Sequence, residues 1–263
     1  MQITVYGATG TFGSRLVAHL RERDHSVIAA HRGIGVDTYA GEGVTEAAEG
    51  SDVLVDCVNY MSNNRHKALD FFSRSSRSIA LAAAENPGAA MVCLSIAFRP
   101  EVAKSKLLGY YQAKELQERV YGRLVPADQL LMFRSTQWFE LVETMTFNAG
   151  PLAFVPKMRV QALAADEAAR MMAEAIDASE RGTLEVAGPE ISDFPTIAGK
   201  IAARKSTADA TVSVGARSPR PTKIVPIPIP GPMSAEGLIP DSPRLSAVTI
   251  DDWLRESSAP QND

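Results

Sequence analysis

Ile3-Thr-Val-Tyr-Gly7-Ala-Thr-Gly10-Thr-Phe-Gly13 joins a short apolar run to an amphipathic one through glycines spaced G-x-x-G-x-x-G. Residues 3–6 read as a β-strand. Beyond the glycines, Phe12, Leu16, Val17 and Leu20 recur at the spacing of one helix face. In a strand–turn–helix of this kind the first glycine permits the tight turn. A side chain at the second would hold a pyrophosphate away from the backbone, and the third lets helix and strand pack closely. The pyrophosphate would then rest on free N–H groups at the positive end of the helix. A bare glycine triplet also makes an ordinary turn. Its place between a strand and an amphipathic helix is the context a dinucleotide site demands, and it assigns the cofactor to Gly7, Gly10 and Gly13.

Outward from this turn, apolar runs of strand length alternate with amphipathic stretches. Strands are predicted at residues 26–30, 37–40, 53–58, 91–95 and 130–134, with helices at 64–84 and 104–121. Such alternation, with right-handed crossovers, gives an α/β fold: one doubly wound, mostly parallel sheet of the Rossmann kind. Past residue 150 the pattern loosens to a helix at 166–178, a strand at 183–187 ended by Gly188-Pro189, and a helix at 195–203. Residues 205–222 read as a mobile polar loop. Ile224-Val-Pro226-Ile-Pro228-Ile-Pro230 carries proline at every second position, which forbids a central strand and favours extended edge geometry. The final seven residues, 257–263, read as a disordered tail.

Composition excludes several functions. The 263 residues are 45% hydrophobic and 22% charged, enough for a sizeable core, and the formal net charge of −4 gives no footing for nucleic acid. No stretch has the length to span a bilayer, and no secretory leader is apparent. The two cysteines, Cys57 and Cys93, lie inside apolar runs, without C-x-x-C or histidine spacing. They read as buried thiols of a cytoplasmic protein, and no metal is expected. The expected partner is a small-molecule substrate, with the chain a monomer or homodimer.

The choice of dinucleotide turns on the end of the second strand. An NAD site usually places an acid there for the ribose 2′-hydroxyl, whereas this chain has Ala29-Ala-His-Arg32-Gly33 and no acid before Asp37. The Arg32 fork can pair with a 2′-phosphate, which favours NADP(H) over NAD(H); the alternative is an ordinary surface arginine.

Chemistry is suggested by Tyr110-Tyr-Gln-Ala-Lys114, which puts Tyr110 and Lys114 four apart on one helix face. An ammonium beside a phenol stabilises the phenolate, so Tyr110 could protonate a carbonyl oxygen as a hydride arrives at its carbon. Lys114 could also hold the nicotinamide ribose. Ser95, at the carboxyl end of the fifth strand, could hydrogen-bond the same carbonyl. The competing readings are a chance surface pair and a serine satisfying local backbone.

At these residues the sequence resembles the atypical short-chain dehydrogenase/reductase group, specifically its NmrA-like NAD(P)-binding proteins. The resemblance is carried by Val5–Gly13, Leu94-Ser-Ile96, 108–118, Phe133-Arg-Ser-Thr-Gln-Trp-Phe139, Gly182-Thr-Leu-Glu-Val-Ala-Gly-Pro-Glu190 and the closing Val248–Leu254. It implies a single Rossmann domain over 1–263 whose small C-terminal substrate lobe comes mainly from 135–165 and 190–245. It implies that Gly7, Thr9, Gly10, Thr11, Phe12 and Gly13 hold the pyrophosphate, Arg32 the 2′-phosphate and Lys114 the ribose. Val58 and Asn59 would flank the nicotinamide half. Gln137, Trp138 and Phe139 would face the substrate, or else pack the lobe. Two functions follow: an NADPH-dependent reductase of a small apolar carbonyl or quinone, or a non-catalytic NADP(H)-sensing regulator.

Overall fold

The computed structural model describes residues 1–62, 64–105, 108–212, 223–229 and 231–256. In chain order the elements are β1 (Gln2–Tyr6), α1 (Thr11–Glu22), β2 (Ser26–Ala30), α2 (Val44–Ala48), β3 (Val53–Asp56), α3 (Arg65–Glu85), β4 (Ala90–Ile96), α4 (Pro100–Lys104), α5 (Gly109–Leu124) and β5 (Leu130–Ser135). They continue with α6 (Phe139–Thr144), β6 (Phe147–Ala149), β7 (Leu152–Lys157), β8 (Arg159–Val160), α7 (Ala165–Asp177), β9 (Gly182–Ala187) and β10 (Ser192–Asp193). The chain closes with α8 (Phe194–Val212), β11 (Lys223–Pro228), β12 (Arg244–Leu245) and α9 (Ile250–Glu256).

Among the described residues the central sheet is parallel throughout, in the order β12-β9-β5-β4-β3-β1-β2. Strands buried on both faces read as near-continuous apolar runs, and Val53-Leu-Val and Met91-Val-Cys-Leu are of that kind. Ile3, Val5, Val55, Val92 and Leu94 pack against α1 and α7. On the opposite face Tyr6, Leu54, Met91 and Cys93 pack against α2, α3 and α5. A third core joins the C-terminal lobe to α5, with Phe139, Val155, Phe194 and Ile197 around Tyr111. The doubly wound α/β class is therefore what the chain adopts.

Four local expectations are corrected. Residues 37–40 are a turn and not a strand: the Asp37 carboxylate accepts the N–H groups of Tyr39 (2.9 Å) and Ala40 (3.1 Å), and a short side chain bonding its own backbone outcompetes a ladder. The strand expected at 53–58 stops at Asp56, whose side chain takes the Val58 N–H at 2.8 Å. The helix expected at 104–121 is split into α4 and α5. Gly109 starts the second piece where a Cβ would stand 2.7 Å from Arg65 Cβ, so the entrance to α5 lies directly on the entrance to α3. The loop expected at 205–222 is helical as far as Val212, extending α8 through a stretch that includes Lys205, Ala208 and Ala210, residue types with good helix propensity. Residues 213–222 and the tail 257–263 lie outside the described residues.

The proline-alternating segment as far as Pro228 lies in β11, parallel to β7 at the edge of the lobe's β11-β7-β6 sheet, and Pro230 lies outside the described residues. An edge strand is where missing proline N–H groups cost least.

Candidate functional site

The glycine turn separates two kinds of glycine. Gly7 has φ +75°, and a Cβ on it would press on the Cys57 carbonyl group at 2.9 Å and Val58 N at 3.0 Å. It lets the exit of β1 lie against the exit of β3, which brings Val58 and Asn59 beside the turn. Gly13 would drive a Cβ to 2.3 Å from Gly7 O, so helix-on-turn packing requires it. Gly10 is different. It has ordinary extended backbone (φ −76°, ψ 170°), and a Cβ there would meet only Gly7 O, at 3.4 Å. The protein's own packing does not demand this glycine. As the N-cap of α1 it offers no side chain to the first-turn amides, which keeps their donor capacity for an anion. Thr9, Gly10 and Thr11 are exposed while Phe12 and Gly13 are buried. This rim fits the pyrophosphate of a dinucleotide.

The end of β2 is stitched to the turn, since Gly7 N–H (3.1 Å) and Ala8 N–H (3.4 Å) both donate to Ala30 O. Two residues on, Arg32 begins a short 3-10 turn capped by His31, whose Nδ1 accepts from Gly33 N–H at 3.0 Å. Arg32 is exposed, and no acid pairs with it among the described residues. Its guanidinium is open to an incoming anion.

Tyr110 and Lys114 share the face of α5 that the spacing implies, yet they do not bond each other. The Tyr110 hydroxyl donates to Asn59 Oδ1 at 2.8 Å, and burial pushes the phenol well above its ordinary range. An amide turned over would instead donate to the phenolate, so Asn59 can serve either protonation state. Lys114 is 3% exposed and donates to Leu94 O at 2.7 Å and to Gln117 Oε1. Gln117 in turn donates to Asp56 Oδ2 at 2.7 Å, and Tyr121 donates to that same oxygen at 2.7 Å. The ammonium lies over the Phe72 ring, 5.0 Å from its centroid, a cation–π contact. A neutral amide thus links a buried cation to a buried anion, which answers the cost of burying either alone. Lysine has three N–H donors, and two are committed here.

Ser95 sits one residue from the end of β4, 2% exposed, its Oγ without a hydrogen-bond partner. Gln137 follows β5, is 5% exposed, and leaves both amide atoms without a partner. It lies near enough to the Tyr111 hydroxyl to offset slightly the burial that raises that phenol, without completing a well-formed bond. Half-buried Trp138 stacks on Phe12, with ring centroids 5.4 Å apart, and donates Nε1–H to Ser135 Oγ at 2.9 Å. Phe139, 3% exposed and 5.4 Å from the Trp253 ring, lies in the lobe core, where it packs. Asp56 and Gln117 escaped the sequence reading. Their signal was present: a carboxylate closing an otherwise apolar strand, and a glutamine one helical turn beyond Lys114. Among the described residues no three His, Cys, Asp or Glu side chains gather as a metal site, and no helix is long and apolar enough to cross a membrane.

No family model matches the chain, and no curated protein matches it. Solved structures do. A dTDP-4-dehydrorhamnose reductase from Bacillus anthracis in complex with NADP superposes with TM-score 0.65 at 17% identity, over 93% of this chain and 88% of that one. The Yersinia enterocolitica reductase of the same name gives 0.66 at 16%, over 97% of each chain. A short-chain dehydrogenase/reductase superfamily protein from Agrobacterium tumefaciens with bound NAD gives 0.66 at 18%, over 98% and 96%. At such identities the likeness establishes the fold: a Rossmann-type α/β architecture, matched along nearly the whole chain.

Proposed function

We propose that this protein is an NAD(P)H-dependent reductase of a small, largely apolar carbonyl or quinone, with NADPH preferred, of the short-chain dehydrogenase/reductase kind and NmrA-like in its sequence. One observation carries the reading. The carboxyl ends of β3 and β4 and the start of α5 gather a phenol, a buried ammonium and a serine hydroxyl with no partner, next to a glycine turn with room for pyrophosphate. The solved neighbours that carry NADP or NAD support a nicotinamide cofactor, and Arg32 supports the 2′-phosphate form.

When bound, the nicotinamide supplies a hydride. The chain's own residues do the rest. Gly10 and the first turn of α1 hold the pyrophosphate, Arg32 the 2′-phosphate, and Lys114 gives its third N–H to a ribose hydroxyl. Ser95 Oγ donates to the substrate carbonyl oxygen and orients it. The Tyr110 hydroxyl hands its proton to that oxygen as negative charge develops there, and Asn59 steadies the phenolate left behind. Val58 and Asn59 border the cofactor, and Gln137 and Trp138 border the substrate. The test is NADPH oxidation across a panel of ketones and quinones. Tyr110→Phe should lower kcat by about 10²–10⁴-fold with NADPH affinity little changed, the range typical of losing a positioned acid.

One observation favours a second reading, a non-catalytic NADP(H) sensor: Lys114 is bonded away from Tyr110, and burial keeps that phenol protonated. A sensor would bind the oxidised and reduced cofactors with clearly different affinities and turn over no member of the panel.

A further inference from the structure

Gln137 poses a question the reductase reading leaves open. A primary amide brings two donors and two acceptor lone pairs, and folded proteins seldom bury such a group unbonded. Here both amide atoms are buried without a partner. The backbone that carries it is held in place. Gln137 O accepts from Leu163 N–H at 3.1 Å, Phe139 N–H donates to Leu163 O at 3.0 Å, and Trp138 is fixed between Phe12 and Ser135. The second orphan, Ser95 Oγ, belongs to β4, which runs beside β5 in register Ser95↔Arg134 and Ile96↔Ser135. Two unsatisfied polar side chains thus stand at the carboxyl ends of neighbouring strands, where open α/β sheets bind their ligands.

Charge narrows what they await. Arg134, the cation of β5, is taken up by Glu118 (2.6 and 3.0 Å) and Glu185 (3.3 Å). The aromatic groups around Gln137, Tyr111 and Trp138, are neutral. A hydroxyl or carboxamide on a ligand both gives and accepts, as the amide of Gln137 does.

We propose that Gln137 is a specificity-determining residue that reads a neutral hydroxyl or amide group on the substrate, close to the carbonyl that is reduced. The preferred substrate is then an apolar molecule with one polar handle, a hydroxy- or amido-carbonyl compound, and a plain ketone is a poor one. This rests on the reductase reading above, with Ser95 on the carbonyl oxygen and Gln137 on the handle.

α-Hydroxyacetophenone and propiophenone differ by a hydroxyl in place of a methyl and make a matched pair. With NADPH, the wild type is expected to favour the hydroxyketone in kcat/KM by at least about a hundredfold, as sites built to bond a hydroxyl do. Gln137→Met should bring the two within about threefold, chiefly by lowering the hydroxyketone's value. An unchanged ratio in Gln137→Met would overturn the proposal. Thermal unfolding supplies a readout independent of turnover. Because the amide is unbonded, ligand-free Gln137→Met should melt at or above the wild-type Tm. A fall of more than about 5 °C would show the amide bonded within the fold and would also overturn it. With NADP⁺ present, millimolar hydroxyketone should raise the Tm of the wild type and not that of Gln137→Met. Should the wild type show that shift and yet reduce neither ketone, the reductase reading falls and the role of Gln137 in binding stands. Absence of both the shift and the kinetic preference removes Gln137's role.

Discussion

In the proposed function Arg32 is the single side chain that selects the cofactor. It stands two residues beyond Ala30, whose carbonyl is bonded to the glycine turn, and no acid neutralises it among the described residues. A charge-assisted bond to phosphate contributes about 1.5–3 kcal/mol. Arg32→Ala should therefore weaken NADPH binding by about ten- to a hundredfold and leave NADH within about threefold. Equal losses for both cofactors, measured by fluorescence titration, would remove Arg32 from the 2′-phosphate. At this scale the sequence was legible in part. Arg32 is a matter of which residue follows a strand, and that can be read. The relation between Tyr110 and Lys114 cannot. Spacing puts them on one face, but the buried Asp56–Gln117 pair and Leu94 O draw the ammonium away, and Asn59 takes the phenol. Gln117 shares a helical period with Lys114, but Asp56, Asn59 and Leu94 lie on or just past β3 and β4, at least 20 residues from the bonded groups of α5, and no period announces them.

Helix α5 is the element on which the site is built, and Gln117 is its linchpin. Its amide accepts from Lys114 and donates to Asp56, and these three side chains are 1–3% exposed. Gln117→Leu leaves a buried cation and a buried anion without their bridge. Breaking a buried network of this kind costs about 3–5 kcal/mol. Urea unfolding at pH 7 should register a loss in that range; a loss under about 1 kcal/mol would mean that the two charges are satisfied without Gln117. Elements with a long, regular period were readable, α1 and α3 among them. Those decided by a single local competition were not. The turn at 37–40 depends on one Asp37 carboxylate, and the break before α5 on a close approach of Gly109 to Arg65. Gly188, where a Cβ would stand 1.9 Å from Ala162 O, belongs with them: the sequence marks it as a strand end, and only the fold reveals the crossing.

The molecule as a whole buries phenols and thiols along the sheet and α5. Burial holds Tyr6, Tyr110, Tyr111 and Tyr121 above the ordinary phenol pKa of about 10, and does the same to the thiols of Cys57 and Cys93. Once pH exceeds the unfolded values, the unfolded chain binds fewer protons than the folded one, so stability falls as pH rises. The decline should begin near pH 9 with the thiols and steepen above pH 10, by up to about 1.4 kcal/mol per pH unit for each buried phenol. Urea midpoints that stay level to pH 11 would contradict it. The sheet and the turn at its edge were legible because alternating apolar runs and a glycine turn are strong, local signals. The lobe was less so, its core being assembled from short pieces far apart in sequence such as Val155, Phe194 and Ile250. The proposed function returns to the glycine turn, and the difference between Gly10 and Gly13 makes it testable. Gly10→Ala should leave the ligand-free protein within about 1 kcal/mol of wild-type stability, whereas Gly13→Ala should unfold it far more readily. The direct measurement is NADPH titration of wild type and Gly10→Ala. The expected result is binding by the wild type and at least a tenfold loss in the folded Gly10→Ala variant; a wild type that does not bind NADPH, or a variant that binds as tightly, would contradict a dinucleotide site at this turn.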